Sequence, residues 1–428
     1  MTSPTGRAHQ PARVHVIGAG LAGLSAAVTL VGRGVPVVVS EASRQAGGRC
    51  RSFHDGLLDM VIDNGNHLVL SGNAAVNRYL RAIGAERWLT GPERAEFHFF
   101  DLPSGQRWTL RPSDGALPWW ILDPRRRVPG TRARDYLALL ALLRRHPGRR
   151  IDEVIRCDGV LWDKFLRPML LSALNTAPEE ASADLAGAIV RETLAKGGRY
   201  IRPLVATPSL AAAFVDPAVA RLERGGADIR FGRPLRAMRF GGDKVLGLTF
   251  DDGEETLAPQ DRVILSVPPW VARNLLPGIS APDAFHAIVN AHFRVAPPAD
   301  AATMVGLTGG TAEWVFAFHD RVSVTVSAAD RLIDHETETL AVLLWRDVAL
   351  VHELTGPVPP YRIVKERRAT FAATPAQAAR RPPMRTAWTN LFLAGDWVDT
   401  GLPATIEGAL RSGEAAAALA LGSGEAGA

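Results

Sequence analysis

The sequence predicts an α/β protein in which a doubly wound, mostly parallel sheet is interleaved with a second, α+β unit. Three observations predict it. Val14 to Ala42 read strand, glycine turn, helix, strand, with Gly18, Gly20 and Gly23 at G-x-G-x-x-G spacing and Glu41 closing the second strand. Short apolar runs return at Val263 to Val267 and Leu391 to Ala394, so the chain re-enters its first domain late. Between them lie alternating and helical stretches that do not continue the βαβ pattern. At 428 residues the chain exceeds one typical core, which fits two packed domains.

The opening unit reads as Rossmann-like. Gly18 allows the tight turn, Gly20 lets backbone approach a pyrophosphate, and Gly23 lets helix and strand pack closely. Ala19, Leu21 and Ala22 complete the turn, and the helix beginning near Leu21 aims its free N–H groups and positive dipole end at the phosphates. Glu41, with Ala42 beside it, is placed to accept hydrogen bonds from an adenosine ribose. Ser43 to Ser52 adds Gly47 and Gly48 for a second close backbone approach, and Arg49 to neutralise phosphate charge. Leu58 to Leu70 breaks its apolar run at Asp63, Asn64, Gly65, Asn66 and His67. A polar, glycine-bearing break in buried structure marks backbone offered to a ligand. Read by itself, His67 is more simply a hydrogen-bonded structural histidine. A short helix over 74–84 should end at Gly84.

Residues 97–150 leave the nucleotide pattern. Leu117, Trp119, Trp120, Ile121 and Leu122 precede Arg125, Arg126 and Arg127, and a short helix from Tyr136 to Leu143 leads into Arg144, Arg145, Arg149 and Arg150. Residues 111–150 hold ten arginines and three aspartates, a local +7 in a chain of net +5, which leaves −2 for the remainder. Aromatic and aliphatic side chains beside arginines suit a bilayer interface, so 117–150 is the expected membrane-contact region. A core helix with a solvated basic face is the plainer reading. A nucleic-acid surface lacks any accompanying module, so no nucleic acid is expected. In Cys157 to Ala183, Trp162, Phe165, Leu166, Met169, Leu170 and Ala173 recur at helical spacing, and Pro168 should kink the helix. Such a stripe is ordinarily core; its other use is the wall of a large apolar cavity. Asp163 and Asn175 are its polar exceptions. The next helix, near Ala183 to Lys196, stops at Gly197 and Gly198.

From Pro208 the chain returns to the nucleotide domain through a helix (209–224) and a strand (Asp228 to Phe231). Pro234 to Phe240 and Val245 to Phe250 alternate around Gly241, Gly242 and Asp243 as an antiparallel excursion, and Leu235 within it is assigned to the cofactor set. Val263 to Val267, closed by Pro268 and Pro269, re-enters the parallel sheet. Residues 286–366 revisit the other domain. Ile288 to Val295 alternates with Asn290, His292 and Arg294 on one face; Trp314, Phe316 and Phe318 share another; Val322, Val324 and Val326 alternate; and a helical span covers 336–354. Aromatics on one face with helices behind make an apolar tunnel or merely a good core. Finally, Leu391 to Ala394 ends in Gly395 and Asp396, and Thr405, Ile406, Glu407 and Gly408 open the last helix. A second helix N-terminus aimed at the same cofactor stabilises negative charge on a reduced flavin, which selects FAD. The expected boundaries are 13–80, 205–275 and 385–424 for the FAD-binding domain, and 81–204 and 276–384 for the substrate domain.

Cys50 and Cys157 have neither metal-ligand spacing nor partners for a disulfide framework, so no metal is expected and a reducing cytoplasm fits. Arg7 and Arg13 before Val14 to Val31 imitate a signal peptide, but three glycines inside the run and a strand starting directly after it favour the nucleotide fold. No other stretch approaches the ~18–20 apolar residues of a membrane span. Residues 1–12 are polar and expected to be disordered. The expected location is cytoplasmic, peripheral on the inner membrane.

VIGAGLAGLS, QAGGR and FLAGDW with TIEGA resemble the flavin oxidoreductases that include amine oxidases and phytoene desaturases, so an amine oxidase-like architecture is implied. Within that group, residues 13 to about 420 are similar to the bacterial hydroxysqualene dehydroxylases, through DNGNHLVL, LWDKFLRPMLLSALNTAPEEASA, TAEWVF, YRIVKERRATFAATP and NLFLAGDWVDTGLPATIEGALRSGEAA. The first and last of these are superfamily features; the middle ones are more specific. The resemblance implies an FAD enzyme of hopanoid biosynthesis that removes the hydroxyl of hydroxysqualene and delivers hydride to give squalene. It further implies NAD(P)H as external reductant, a long apolar isoprenoid as substrate, and upstream synthases of the squalene or presqualene type as partners. An allylic hydroxyl leaves with acid assistance beside a dry wall, so His67 or Asp163 is the expected proton donor. Trp162, Phe165, Asn175, Trp314 and Phe316 are the expected substrate contacts. Three alternatives stay open: an isoprenoid or carotenoid desaturase running electrons the other way, an amine oxidase (weakened because Trp397 stands alone), and a non-enzymatic FAD- or lipid-binding protein.

Overall fold

The computed structural model describes residues 12–422. The stretch expected to be disordered lies, but for Ala12, outside the described residues, as do the last two positions of the expected 385–424 segment.

Five parallel strands form the first sheet, in the order Asp228–Arg230, Val37–Ser40, Val14–Ile17, Arg262–Leu265 and Leu391–Leu393. Numbered along the chain this is 3-2-1-4-5, a doubly wound topology. The central strands are short and apolar because both faces are covered, so they need no alternation. Helices Leu21–Val31 and Ile406–Ala420 cross on one face through small residues. A Cβ on Gly413 would lie 2.2 Å from the Ala22 carbonyl oxygen, and Ser25 Oγ donates to the Leu410 carbonyl at 2.9 Å. The expected excursion is a three-stranded antiparallel sheet of Leu235–Gly241, Lys244–Phe250 and Gly253–Thr256.

The second domain is built on a seven-stranded sheet in the order Tyr361–Phe371, Phe285–Phe293, Val322–Val326, Trp314–Ala317, Met304–Thr308, Phe97–Asp101 and Gln106–Leu110. It is antiparallel except where Met304–Thr308 runs beside Phe97–Asp101. Strand alternation gives it two different faces. Val289, Ala291, Phe293, Val322, Val324 and Val326 pack under helix Thr337–His352. Asn290, His292, Ser323 and Thr325 point the other way, toward loop 63–67 of the first domain.

The stripe around Pro168 is core: Trp162, Phe165, Leu166 and Leu170 are all buried. The expected kink takes the form of a π-helical turn, Trp162–Leu166, running into the α-helix Arg167–Leu174, because Pro168 has no N–H for the ladder. The expected membrane region consists of the turns Trp119–Leu122 and Ala133–Leu137 and the short helix Ala138–Leu142. One of its tryptophans must be reassigned. Trp120 is buried, edge-on to Tyr136 at 5.2 Å, so Trp119 alone faces outward. Among the described residues no helix is long and apolar enough to cross a membrane, and no His/Cys/Asp/Glu group could hold a metal.

Candidate cofactor and active site

The glycine turn shows which positions answer to packing and which to a ligand. Gly18 has φ 101°, and a Cβ there would come within 2.7 Å of the Ser266 carbonyl oxygen. A Cβ on Gly23 would sit 1.9 Å from the Gly18 carbonyl oxygen. Gly20 differs: a Cβ there would meet nothing within 4 Å. The space beside it is open. The first intrahelical donor is Leu24, to the Gly20 carbonyl at 2.9 Å, so the N–H groups of Leu21, Ala22 and Gly23 donate to no protein group among the described residues. Glu41 stands next to this opening. Its Oε2 accepts from Ala19 N at 2.6 Å and its Oε1 from Ser43 N at 2.8 Å. Backbone bonds between Glu41 and both Arg230 and Arg233, each 2.8 Å, bring Leu235 close by. Open helical N–H groups, a glycine with room before it and an adjacent carboxylate fit the diphosphate and ribose of FAD.

The second approach comes from the C-terminal segment. Thr405 caps helix Ile406–Ala420 by accepting from Gly408 N at 3.0 Å, leaving the Ile406 and Glu407 N–H groups without protein acceptors among the described residues. This helix and Leu21–Val31 both follow strands of one parallel sheet, so both N-termini emerge at its carboxyl edge. Gly395, at φ 148°, anchors the intervening loop by donating to Ser412 Oγ at 2.8 Å. Asp396 then takes both oxygens to Arg49 Nη2, at 2.7 and 2.8 Å, and Arg49 also donates to the Ala369 carbonyl. This ion pair joins the turn holding Gly48 to the loop that precedes the last helix.

His67 lies beside that pair. Burial first, and the Arg49 charge second, pull its imidazole down to about 4, with Asp396 opposing. It is partly accessible and makes no hydrogen bond to protein among the described residues, so it faces open space while lying deep in the molecule. Its neighbour Leu68 packs on a cluster containing Phe316, Met304, Val205 and Trp314. The expected aromatic contacts Trp314 and Phe316 thus pack with Leu68, the residue that follows His67. Phe165 reaches this cluster only indirectly, through Phe99, whose ring centroid is 6.1 Å from Phe165 and 5.8 Å from Trp314. Trp162 stays in the core.

Four expected contacts are committed elsewhere. The Glu407 carboxylate accepts from Ala75 N and Val76 N, at 3.1 Å each, and from Arg411, so it caps helix Ala74–Ile83. Asn175 is buried and fully used: Nδ2 donates to the His286 carbonyl and Thr370 Oγ1, while Oδ1 accepts from Ala328 N at 2.6 Å. Asn64 and Asn66 turn their amide nitrogens to the second domain, on Glu366, the Val324 carbonyl and Thr325, while Asn66 Oδ1 is buried without a protein partner among the described residues. Gly65 is a glycine because Asn290 Nδ2 stands 3.0 Å from where its Cβ would be. Asp163 does not meet His67. It is exposed and lines an outer depression with Thr308, Gly309 and Gly310, at the end of strand Met304–Thr308 remote from Leu68. A five-residue strand sets those ends ~13 Å apart.

Two residues carry more than their sequence showed. His292 ties loop 63–67 to the second sheet: Nε2–H donates to the Asp63 carbonyl at 3.0 Å and Nδ1 accepts from Ser323 Oγ at 2.8 Å. Both ring nitrogens are satisfied in the neutral form, and burial holds the imidazole down to about 3. Arg381 is buried against the Phe371 ring, 5.0 Å from its centroid, and donates to the carbonyls of Asp396, Trp397 and Val398 and to Thr400 Oγ1, fixing the loop before the last helix. Alternation placed His292 on the right face, but nothing local identified its acceptor; Arg381 gave no local signal.

The family model of flavin-containing amine oxidoreductases matches residues 21–421. Over 415 residues the chain is 53% identical to hydroxysqualene dehydroxylase of Rhodopseudomonas palustris, covering 96% of this chain and 99% of that one. Over 411 residues it is 52% identical to the Sinorhizobium fredii protein of the same name, covering 96% and 99%. Among solved structures, an oxidoreductase from Methanosarcina mazei superposes with a TM-score of 0.71 at 15% identity, over 94% of this chain and 98% of that one. At that identity the likeness is one of fold.

Proposed function

We propose a function on one premise: this chain belongs to the flavin-containing amine oxidoreductase family. It is an FAD-dependent hydroxysqualene dehydroxylase, converting hydroxysqualene to squalene. The observation that carries this is identity of 53% along 96% of the chain, which takes in the substrate domain as well as the nucleotide turn. In the net reaction the allylic C–O bond breaks, a C–H bond forms, and the hydroxyl leaves as water after gaining a proton. Bound FAD, when reduced, supplies the hydride. The chain's own residues do the rest. Gly20 and the open N–H groups of Leu21 to Gly23 hold the diphosphate, Glu41 the ribose, and the N-terminus of Ile406–Ala420 supports negative charge. We assign His67 to the departing hydroxyl, on the strength of its free ring nitrogens and its place beside Arg49 and Asp396. Phe316, Trp314 and Leu68 exclude water from the allylic carbon. Each turnover needs two electrons from outside the chain, and NAD(P)H is the reductant we assign.

A long isoprenoid substrate partitions into lipid, and we place the enzyme on the inner membrane surface, receiving substrate from synthases of the squalene or presqualene type. The support is a row of exposed apolar side chains, Leu117, Trp119, Leu122, Leu137 and Leu140, each more than half exposed. Arg132, Arg134, Arg144 and Arg145 stand exposed around it without an ion pair among the described residues. Arg126 and Arg127, by contrast, are spent on backbone carbonyls.

The test of the reaction is anaerobic. Prereduced enzyme mixed with hydroxysqualene should reoxidise and yield squalene in equal amount. Enzyme that stays reduced, while phytoene or squalene bleaches the oxidised form, would instead establish a desaturase.

A further inference from the structure

Beside the exposed apolar row the surface sinks into a cavity of about 350 Å³, with Leu140 and Val154 on its apolar side and Arg144, His146, Arg149 and Glu153 on its polar side. We propose that this cavity is a seat for the phosphate of an anionic membrane lipid, fixing how the docked enzyme is turned on the bilayer. The inference rests on the docking reading above and goes beyond it: diffuse attraction of arginines to a charged surface needs no cavity.

The chemistry of the wall favours a phosphate. Arg144 is exposed and its guanidinium has no hydrogen bond or ion pair to protein among the described residues. Arg149 donates through Nη2 to the Glu153 carbonyl, leaving the rest of its fork open. A guanidinium offers parallel N–H donors that match phosphate oxygens two at a time. Glu153 is the one acid in the wall, and its Oε2 is already engaged by Arg150 N at 2.7 Å, so two guanidinium groups face one carboxylate. His146 is held in place by its backbone N–H to Asp184 Oδ1 at 2.5 Å and by Nε2–H to the Ala141 carbonyl at 2.7 Å. The floor of the cavity is thereby pinned to helix Ala183–Glu192 of the substrate domain. Leu140 belongs to both the cavity wall and the apolar row. One lipid can therefore set its phosphate between Arg144 and Arg149 while its chains lie along Leu140, Leu137 and Trp119. A choline headgroup would bring an ammonium against the same arginines, so the site should prefer a headgroup without a cation.

Flavin-loaded enzyme is tested by flotation with vesicles of phosphatidylglycerol in phosphatidylcholine, against phosphatidylcholine alone. Two double variants are charge-matched: Arg144→Ala with Arg149→Ala in the cavity, and Arg132→Ala with Arg134→Ala outside it. All four side chains are exposed, and flavin absorbance with an unchanged melting temperature certifies each fold. The cavity double should lose about tenfold more affinity for phosphatidylglycerol vesicles than the control double, and the gap should survive salt that screens diffuse attraction. Equal losses would overturn the lipid seat and leave the docking reading standing. Wild-type enzyme that floats equally well on phosphatidylcholine alone would also overturn the seat. Wild-type enzyme that floats on neither vesicle would remove both.

Discussion

His67 offers a sharp test, because its titration and its proposed role pull against each other. Burial and Arg49 lower its imidazole to about 4, so at pH 7 only about one molecule in a thousand carries the proton, a cost of about 4 kcal/mol. General-acid assistance is worth about 10²- to 10⁴-fold, so at neutral pH the scarcity of imidazolium consumes most of that gain. The sign follows directly. The protonated fraction rises as pH falls toward the pKa, so a rate carried by imidazolium should climb tenfold per unit of falling pH. The expected profile for kcat/KM has slope −1 between about pH 8 and pH 5 and levels off near the pKa of about 4. The assay is anaerobic stopped-flow: prereduced enzyme meets hydroxysqualene in buffers of graded pH, and the returning absorbance of oxidised flavin gives the rate. His67→Gln retains a hydrogen-bonding group but cannot be protonated. It should flatten the profile and cost about 10²-fold or more at pH 5, with much less effect at pH 8. Full flavin content in the variant separates chemistry from cofactor loss. A variant that keeps the wild-type slope and rate would refute the assignment of His67.

Gly20→Ala places its methyl in space where no protein atom lies within 4 Å, so the apoprotein should melt as wild type while flavin titration shows FAD binding weakened about tenfold or more. Gly23→Ala is the contrast: its methyl would meet the Gly18 carbonyl at 1.9 Å, and the apoprotein itself should lose about 2 kcal/mol or more in denaturant titration. Glu407→Ala should lower stability by about 1–2 kcal/mol through the uncapped helix Ala74–Ile83, with Glu407→Gln falling between it and wild type. His292 is neutral in the folded protein, with a pKa of about 3 against 6.5 when unfolded. Its contribution is therefore full above pH 6.5 and is lost as pH falls from 6.5 to 3, by at most about 5 kcal/mol; His292→Gln should flatten that part of the acid-denaturation curve.

The nucleotide domain was legible because its signals are local. Three glycines, a short buried strand and a spaced acid lie within thirty residues, and the later strands announce themselves as brief apolar runs. The second sheet was harder. Phe97–Asp101 and Gln106–Leu110 carry only one local signal, the turn Leu102–Gly105 with Pro103 and Gly105 between two strand-like runs. Tyr361–Phe371 was hidden by Lys365, Glu366, Arg367 and Arg368 in its middle. As the edge of the sheet it carries charge where an inner strand could not. Polar residues misled for a different reason. Asn175, the Asn66 amide nitrogen and the helix-capping contacts of Glu407 find their partners more than a hundred residues away, outside any window of sequence. The tryptophan pair shows the limit of composition: neighbours in sequence, Trp119 faces outward and Trp120 inward, a difference set by the packing of Tyr136.

The strand order of the first sheet has a consequence for how the protein is made. Its first two strands leave the ribosome early, but their outer neighbours are Asp228–Arg230 and Arg262–Leu265, with Leu391–Leu393 beyond the latter, and helix Leu21–Val31 waits for the Gly413 helix to cross it. With 428 residues made at ~5–20 per second, the glycine turn spends roughly 20–85 s without the last helix. Until then the stripe Ala22 to Ala26 lacks its cover, and the second positive helix end does not exist. Flavin capture should accordingly be a late event, after helix Ile406–Ala420 has emerged. Ribosome-arrested chains ending before Leu391 should retain no flavin, whereas chains that include Leu391–Leu393 and Ile406–Ala420 should acquire it.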